Sequence, residues 1–262
     1  MDEQRRRHYL AVMGVQNWIP QAVDGVGSKG KATSPEAVVE VSQVLSAEEI
    51  PPWIDEVPPV GNERATGSEP DAAIPQGNPV SRLGWDGLSR QVAQCTACDL
   101  HAGRQHTVFG VGNREADLMV IGEAPGAEED RQGEPFVGRA GQLLNAMLGA
   151  IGLRREQVYI ANILKCRPPG NRDPRPEETL RCAPFLDRQI ALVAPRVILT
   201  VGRIAAQNLL KSQEAVGRLR GKDAEFEGIP VIVTYHPAYL LRTPAQKARA
   251  WQDLQRVRKL LK

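Results

Sequence analysis

Four short, almost purely apolar runs, 116–121 (ADLMVI), 158–164 (VYIANIL), 196–201 (RVILTV) and 230–234 (PVIVT), constrain the fold of this 262-residue chain most tightly. Each is too short for a stable helix. Helical stretches follow or separate them, over 141–151, 176–193 and 202–210, and a long basic helix over 243–262 closes the chain. Strands without polar alternation are buried on both faces, so the pattern predicts an α/β fold, a central parallel four-stranded sheet with helices on both faces. Such sheets bind ligands beyond the carboxyl ends of their strands, which directs attention to the residues that follow each run.

The first run ends in Gly122-Glu123-Ala124-Pro125-Gly126, followed by the acidic Glu128-Glu129-Asp130 and by Pro135-Phe136-Val137-Gly138. The second contains Asn162 and leads into Lys165-Cys166-Arg167-Pro168-Pro169. The fourth leads into Tyr235-His236-Pro237-Ala238-Tyr239-Leu240-Leu241. Taken alone, GEAPG is also an ordinary βα loop, Phe136 a core aromatic, and Asn162 a strand-end amide that satisfies backbone groups. The acidic run reads as a solvated helix start at Glu128 and Asp130.

All four cysteines fall at Cys95, Cys98, Cys166 and Cys182, a C-x2-C pair and a C-x15-C pair. The sequence shows no signal peptide and no long apolar segment, so a reducing cytoplasm is expected, where thiolate ligation of a metal is favoured over disulfides. The wide second pair departs from the two short knuckles of a zinc ribbon. On spacing, an iron-sulfur cluster, a four-thiolate zinc and plain buried thiols all stay open.

Four motifs in order, CTAC, GEAPGAEEDRQGEPFVGRAGQLL, ANILKCRPPGNRDP and HPAYLL, resemble those of family 4 uracil-DNA glycosylases, the iron-sulfur branch of the uracil-DNA glycosylase superfamily. The resemblance covers about residues 83–262. It implies a [4Fe-4S] cluster held structurally by Cys95, Cys98, Cys166 and Cys182, and an enzyme that hydrolyses the N-glycosidic bond of uracil in single- or double-stranded DNA for base excision repair. The other class kept open is a noncatalytic nucleic-acid-binding protein of the same fold and metal centre, which the presence of Glu123, Phe136, Asn162 and His236 disfavours.

The same resemblance assigns roles that chemistry makes intelligible. An enzyme that acts on a base first flips it from the duplex into a pocket. Phe136 stacks on the flipped base. Asn162 offers an acceptor to N3–H and a donor to O4, a pattern that cytosine reverses. His236 donates to uracil O2 as negative charge develops there. Glu123, the nearest acid in the first loop, is expected to position the attacking water or to bind the base and sugar region through its loop, and Gly122 and Ala124 to line the base pocket. Glu129 approaches the uracil C5 edge or the water. The best-known uracil glycosylases carry aspartate where this chain has Ala124, so their strong water-activating carboxylate is absent. Some relatives trap the sugar on a histidine in an inserted loop. Between Arg167 and Glu177 this chain has PPGNRDPRP, with no histidine, and no covalent adduct is expected.

Charge is unevenly distributed. Of the 33 basic and 31 acidic residues, 7 and 12 fall in residues 1–85, which therefore carry −5 while the remainder carries +7. Basic residues gather at Lys165-Arg167-Arg172-Arg175, at Arg218-Arg220-Lys222 and at Arg242-Lys247-Arg249, where some are expected to contact DNA phosphates. Among the DNA contacts expected are Arg167, Arg172 and Arg242, with Leu240 and Leu241 as the wedge that fills the gap left by the flipped base.

Residues 19–82 hold nine prolines within 19–80, without sustained periodicity, and read as a disordered linker. Before it, residues 1–18 form an expected short amphipathic helix. Its RRRHYLAVMGVQNW is similar to the peptide at the start of the psi subunit of bacterial clamp loaders, which implies a replication partner, the clamp loader, docked through Trp18; the other reading is a helix that folds back on its own catalytic domain. The folded domain is expected over 83–262, as a cytoplasmic, nucleoid-associated monomer of bacterial type with no membrane contact.

Overall fold

A computed structural model of the chain describes residues 79–262, together with Ala11, an exposed helical residue. The rest of the expected interaction helix over 1–18, and the linker up to residue 78, lie outside the described residues. The folded body begins with a 3-10 turn at Pro79–Arg82, whose Val80 is buried against Leu88, Val92 and Phe185.

The chain then runs through helix α1 (Trp85–Ala93), a helical turn at Leu100–Gly103, strand β1 (Val111–Gly112), β2 (Leu118–Gly122), helices α2 (Ala127–Gln132) and α3 (Arg139–Ala150), and β3 (Tyr159–Asn162). It continues with α4 (Pro176–Val193), β4 (Val197–Val201), α5 (Arg203–Leu210), a turn at Val216–Leu219, β5 (Ala224–Phe226), β6 (Ile229–Thr234), α6 (Pro237–Arg242) and α7 (Lys247–Leu260).

The sheet has six strands in the order β1-β3-β2-β4-β6-β5. Its central four are the predicted parallel ones. The two edge strands, β1 and β5, are additions, and both pair antiparallel with their neighbours. Side chains alternate between two cores. Leu118 and Val120 of β2 face α3, α6 and α7 through Leu144, Leu240 and Leu254, whereas Met119 and Ile121 face α4 and α5 through Ile190 and Ala205. Burial on both faces explains why no polar alternation marks these strands.

Local sequence sets the helix boundaries. Proline at the first position opens α4 and α6, where its missing N–H has no intrahelical role. The helix expected over 243–262 starts only at Lys247, because Pro244 interrupts it with a 3-10 turn, Pro244–Gln246. HPAYLL, by contrast, is itself helical, with His236 as the N-cap of α6.

The parallel register aligns Gly122 with Asn162 and Val201 with Thr234, so the four central strands end level. From β2 the chain moves to β3 on one side and later to β4 on the other. The segments after β2, β3 and β6 therefore converge beside a topological switch point. Among the described residues no helix is long and apolar enough to cross a membrane.

Candidate active site

At the carboxyl edge of the sheet lies a cavity of about 440 Å³ whose wall includes Glu123, Ala124, Glu129, Phe136, Asn162 and His236. Gly122 lies behind two of these residues, Asn162 and Phe136. A methyl group there would lie 2.4 Å from Asn162 Oδ1 and 2.6 Å from Phe136 Cζ, well inside van der Waals contact. Glycine is thus what allows these two side chains to meet over the end of β2.

Asn162 is 1% exposed, and its Oδ1 has no hydrogen-bond partner. Buried polar atoms are paired as a rule, so an orphan acceptor beside a cavity is one that a ligand donor can satisfy.

Phe136 is 6% exposed, and its φ of 54° is in the left-handed region that non-glycine residues seldom occupy. Two contacts hold it there. Arg155 donates to the carbonyl oxygens of Pro135 and, at 3.3 Å, Phe136. Gly141 lets α3 press on the same carbonyl, since a methyl at that position would fall 1.8 Å from Phe136 O. Neither Arg155 nor Gly141 carried a sequence signal as a site residue.

His236 is partly buried at the cavity wall. Its Nδ1 accepts the Ala238 N–H at 3.1 Å, which leaves the proton of a neutral ring on Nε2. Burial, assisted by the positive charge of Arg242, pushes its pKa down to about 4 against an opposing pull from Glu129. The imidazole is therefore neutral at physiological pH. Its ring lies 5.7 Å from that of Phe136, tilted by 31°.

Glu123 is pushed up to about 7, by burial first and by Asp173 second, partly offset by Arg203. Asp173 and Arg203 are themselves ion-paired. A carboxylate that titrates near neutrality is suited to proton transfer.

Glu129 differs from its expected role. Its Oε2 accepts the Gly126 N–H (3.1 Å), and its Oε1 accepts those of Val137 (3.0 Å) and Gly138 (3.1 Å). Both oxygens are committed to clamping the Gly122–Gly126 loop against the Phe136 loop. Asp130 departs from its expected solvated position as well. It is 2% exposed and accepts the Gln105 N–H at 2.9 Å, tying α2 to the segment beyond Cys98. Glu128 stays on the surface beside Arg131.

The expected DNA contacts separate into two groups. Leu240 is 0% exposed in the core under α6, so it is not a wedge. Leu241 is 36% exposed and remains available. Arg242 is exposed at the cavity rim, and Arg167 is half-buried with its Nε donating to Asn171 at 2.8 Å. Arg172 forms a bidentate pair with buried Glu178 (2.9 and 2.6 Å), which removes it as a free phosphate contact. Arg220 is likewise locked to Asp253, and Lys165 is 2% exposed.

On the far side of the Gly122–Gly126 loop, Cys95, Cys98, Cys166 and Cys182 line one further cavity with Leu100, Leu164 and Arg104. Ala124 packs against Leu164 and Cys166, so this loop is shared by the two sites. Arg104 Nη1 donates to Cys166 Sγ at 3.3 Å and to the Cys95 carbonyl at 2.7 Å. Burial pushes the Cys166 thiol up, and the Cys182 thiol up to about 11. Among the described residues, no three His, Cys, Asp or Glu side chains converge tightly enough to hold a single metal ion.

Residues 109–255 match the Uracil DNA glycosylase superfamily. The chain is 46% identical over 183 residues to the type-4 uracil-DNA glycosylase of Archaeoglobus fulgidus, covering 67% of this chain and 92% of that one. It is 42% identical to the type-4 uracil-DNA glycosylases of Thermotoga maritima and Saccharolobus solfataricus. These alignments cover 67% of this chain in both cases, and 93% and 86% of those proteins.

Proposed function

Because the chain belongs to the uracil-DNA glycosylase superfamily and, within it, to the type-4 uracil-DNA glycosylases, we propose that the cavity at the carboxyl edge of the sheet is where it reads and releases uracil. The protein is a uracil-DNA glycosylase, a hydrolase of DNA repair. The observation that carries the assignment of its pocket is the orphan acceptor of Asn162 beside the edge of Phe136.

A uracil flipped from single- or double-stranded DNA stacks on Phe136, a contact worth about 1–3 kcal/mol. Asn162 Oδ1 accepts the uracil N3–H, and its amide donates to O4. Cytosine has no proton at N3, so it leaves the buried acceptor unpaired at a cost of about 1–3 kcal/mol. Gly122 and Ala124 bring the loop backbone to the edge of the base.

As the glycosidic bond breaks, negative charge gathers on uracil O2 and positive charge on the sugar. His236 Nε2–H donates to that oxygen, and because Nδ1 accepts the Ala238 N–H, the single proton of the neutral ring is held on Nε2 and is available to the developing anion. Such a preorganised donor contributes about 2.7–4 kcal/mol. Water then captures the sugar cation. Glu123, half ionised near pH 7, orients this water or accepts its proton. Arg242 and Arg167 contact phosphates, and Leu241 enters the gap in the base stack.

The donor set of the second cavity fits a [4Fe-4S] cluster, with Cys95, Cys98, Cys166 and Cys182 as its ligands. Four sulfurs on one zinc would lie roughly 3.8 Å apart, given a Zn–S bond of about 2.3 Å. Thiols spread around a cavity suit a larger centre ligated at its corners. Once bound, such a cluster supplies structural cross-links between the loop after α1, the loop after β3 and α4.

The same proposal extends to the arm. Residues 1–18 bind a replication protein such as the clamp loader, while residues 83–262 carry catalysis in the cytoplasm as a monomer.

Incubation with uracil-containing oligonucleotides followed by alkaline cleavage tests the pocket. Wild-type protein yields strand breaks at uracil and none at cytosine, and Asn162→Asp loses uracil excision. Full activity in Asn162→Asp would overturn the assignment of the base reader.

A further inference from the structure

The Asn162 side chain has an orphan acceptor, so its orientation must be set largely through its backbone. Besides the pairing of β3 with β2, the group that holds this backbone is the ammonium of Lys165. Its Nζ donates to the Asn162 carbonyl oxygen at 2.8 Å and to Gln189 Oε1 at 2.6 Å. Gln189, on α4, is 0% exposed, and its Nε2 donates to the Phe109 carbonyl at 2.8 Å and to the Tyr159 hydroxyl at 3.1 Å. Lys165 therefore connects the end of β3 to α4 and, through Gln189, to the segment leading into β1. Lys165 also lines the cavity formed by Cys95, Cys98, Cys166 and Cys182.

A buried ammonium is costly, and an apolar side chain would fill the same volume more cheaply. The geometry points to Lys165 and Gln189 as a positioning pair for base recognition, a buried polar strut that fixes the Asn162 carboxamide and ties it to the cysteine-lined cavity. The pair touches no substrate atom. The inference rests on the reading that Asn162 recognises uracil.

The test compares Lys165→Met, Gln189→Leu, Gln189→Glu and Asn162→Ala in the full chain as purified. Each is measured for bound iron, for inhibition by free uracil and for binding to an oligonucleotide carrying an abasic-site analogue, which has no base to read. Lys165→Met and Gln189→Leu are expected to weaken inhibition by free uracil about tenfold and leave abasic-site binding unchanged. Gln189→Glu keeps the acceptor for Lys165 but loses the donor to the Phe109 carbonyl, so it is expected to weaken inhibition by uracil less than Gln189→Leu does.

Should Lys165→Met fail to retain iron, Gln189→Leu decides, because it lies about two turns of α4 beyond Cys182. Wild-type inhibition by uracil in iron-loaded Gln189→Leu, or an equal loss of uracil and abasic-site binding, would overturn the inference. Unchanged inhibition in Asn162→Ala would instead refute the underlying reading of the base.

Discussion

Gly122→Ala tests the pocket with a single methyl group. Gly122 lacks the left-handed backbone that would itself forbid alanine, so the cost comes from space alone. The new Cβ would sit 2.4 Å from Asn162 Oδ1, 2.6 Å from Phe136 Cζ and 2.7 Å from Phe136 Cε2. Relief requires both side chains to move. Arg155 and Gly141 hold Phe136 by its backbone, so its ring must swing into the cavity, and Asn162 must turn away from its reading position. Overpacking of this kind costs about 1–3 kcal/mol in stability. Misplacing the stacking platform and the base reader together is expected to remove about 2 kcal/mol of uracil recognition, a factor of roughly 30. Single-turnover excision and inhibition by free uracil measure the loss, with circular dichroism to show that the fold survives. A Gly122→Ala protein that excises uracil at the wild-type rate, with unchanged inhibition by uracil, would refute the placement of Phe136 and Asn162 in the pocket.

Three further outcomes are expected. Glu123 has a folded pKa near 7 against 4.5 when unfolded, so ionisation destabilises the fold progressively from pH 4.5 to 7 and fully above. Glu123→Gln should accordingly unfold at higher temperature than wild type at pH 8 but not at pH 4, and its excision rate should lose the rise through pH 7. Anaerobically purified protein should be brown with about four irons per chain, and Cys166→Ala should bleach and destabilise it; stoichiometric zinc without iron would contradict this. Deletion of residues 1–78 should leave excision on short oligonucleotides unchanged and abolish capture of the clamp loader, as should Trp18→Ala in the full chain; capture that persists in both would remove the arm's proposed role.

The central strands were legible in the sequence because burial on both faces makes each a continuous apolar run. Edge strands of two and three residues, β1 and β5, carry too little pattern to be seen. The polar residues at the strand ends pointed to the cavity, since GEAPG, Asn162 and His236 each follow or end such a run. What sequence left hidden was pairing at a distance. Arg172, Arg220 and Lys165 look like surface cations until Glu178, Asp253 and Gln189, which lie 6, 33 and 24 residues away, are brought against them. Leu240 and Leu241 are indistinguishable as letters. Only the helix capped by His236 turns the first into the core and the second outward. Glu129 was recognised as a site residue, but its three backbone partners, separated along the chain, make it a clamp between loops.

The central claim is that a neutral His236 stabilises the departing uracil anion. Its most direct test is single-turnover excision by His236→Ala on a uracil-containing oligonucleotide, with binding of the same oligonucleotide measured in parallel. The account predicts excision slowed by about 100-fold or more with binding largely intact, because the lost hydrogen bond strengthens only as charge develops on O2. Equal losses of binding and rate, or an unchanged rate, would contradict it.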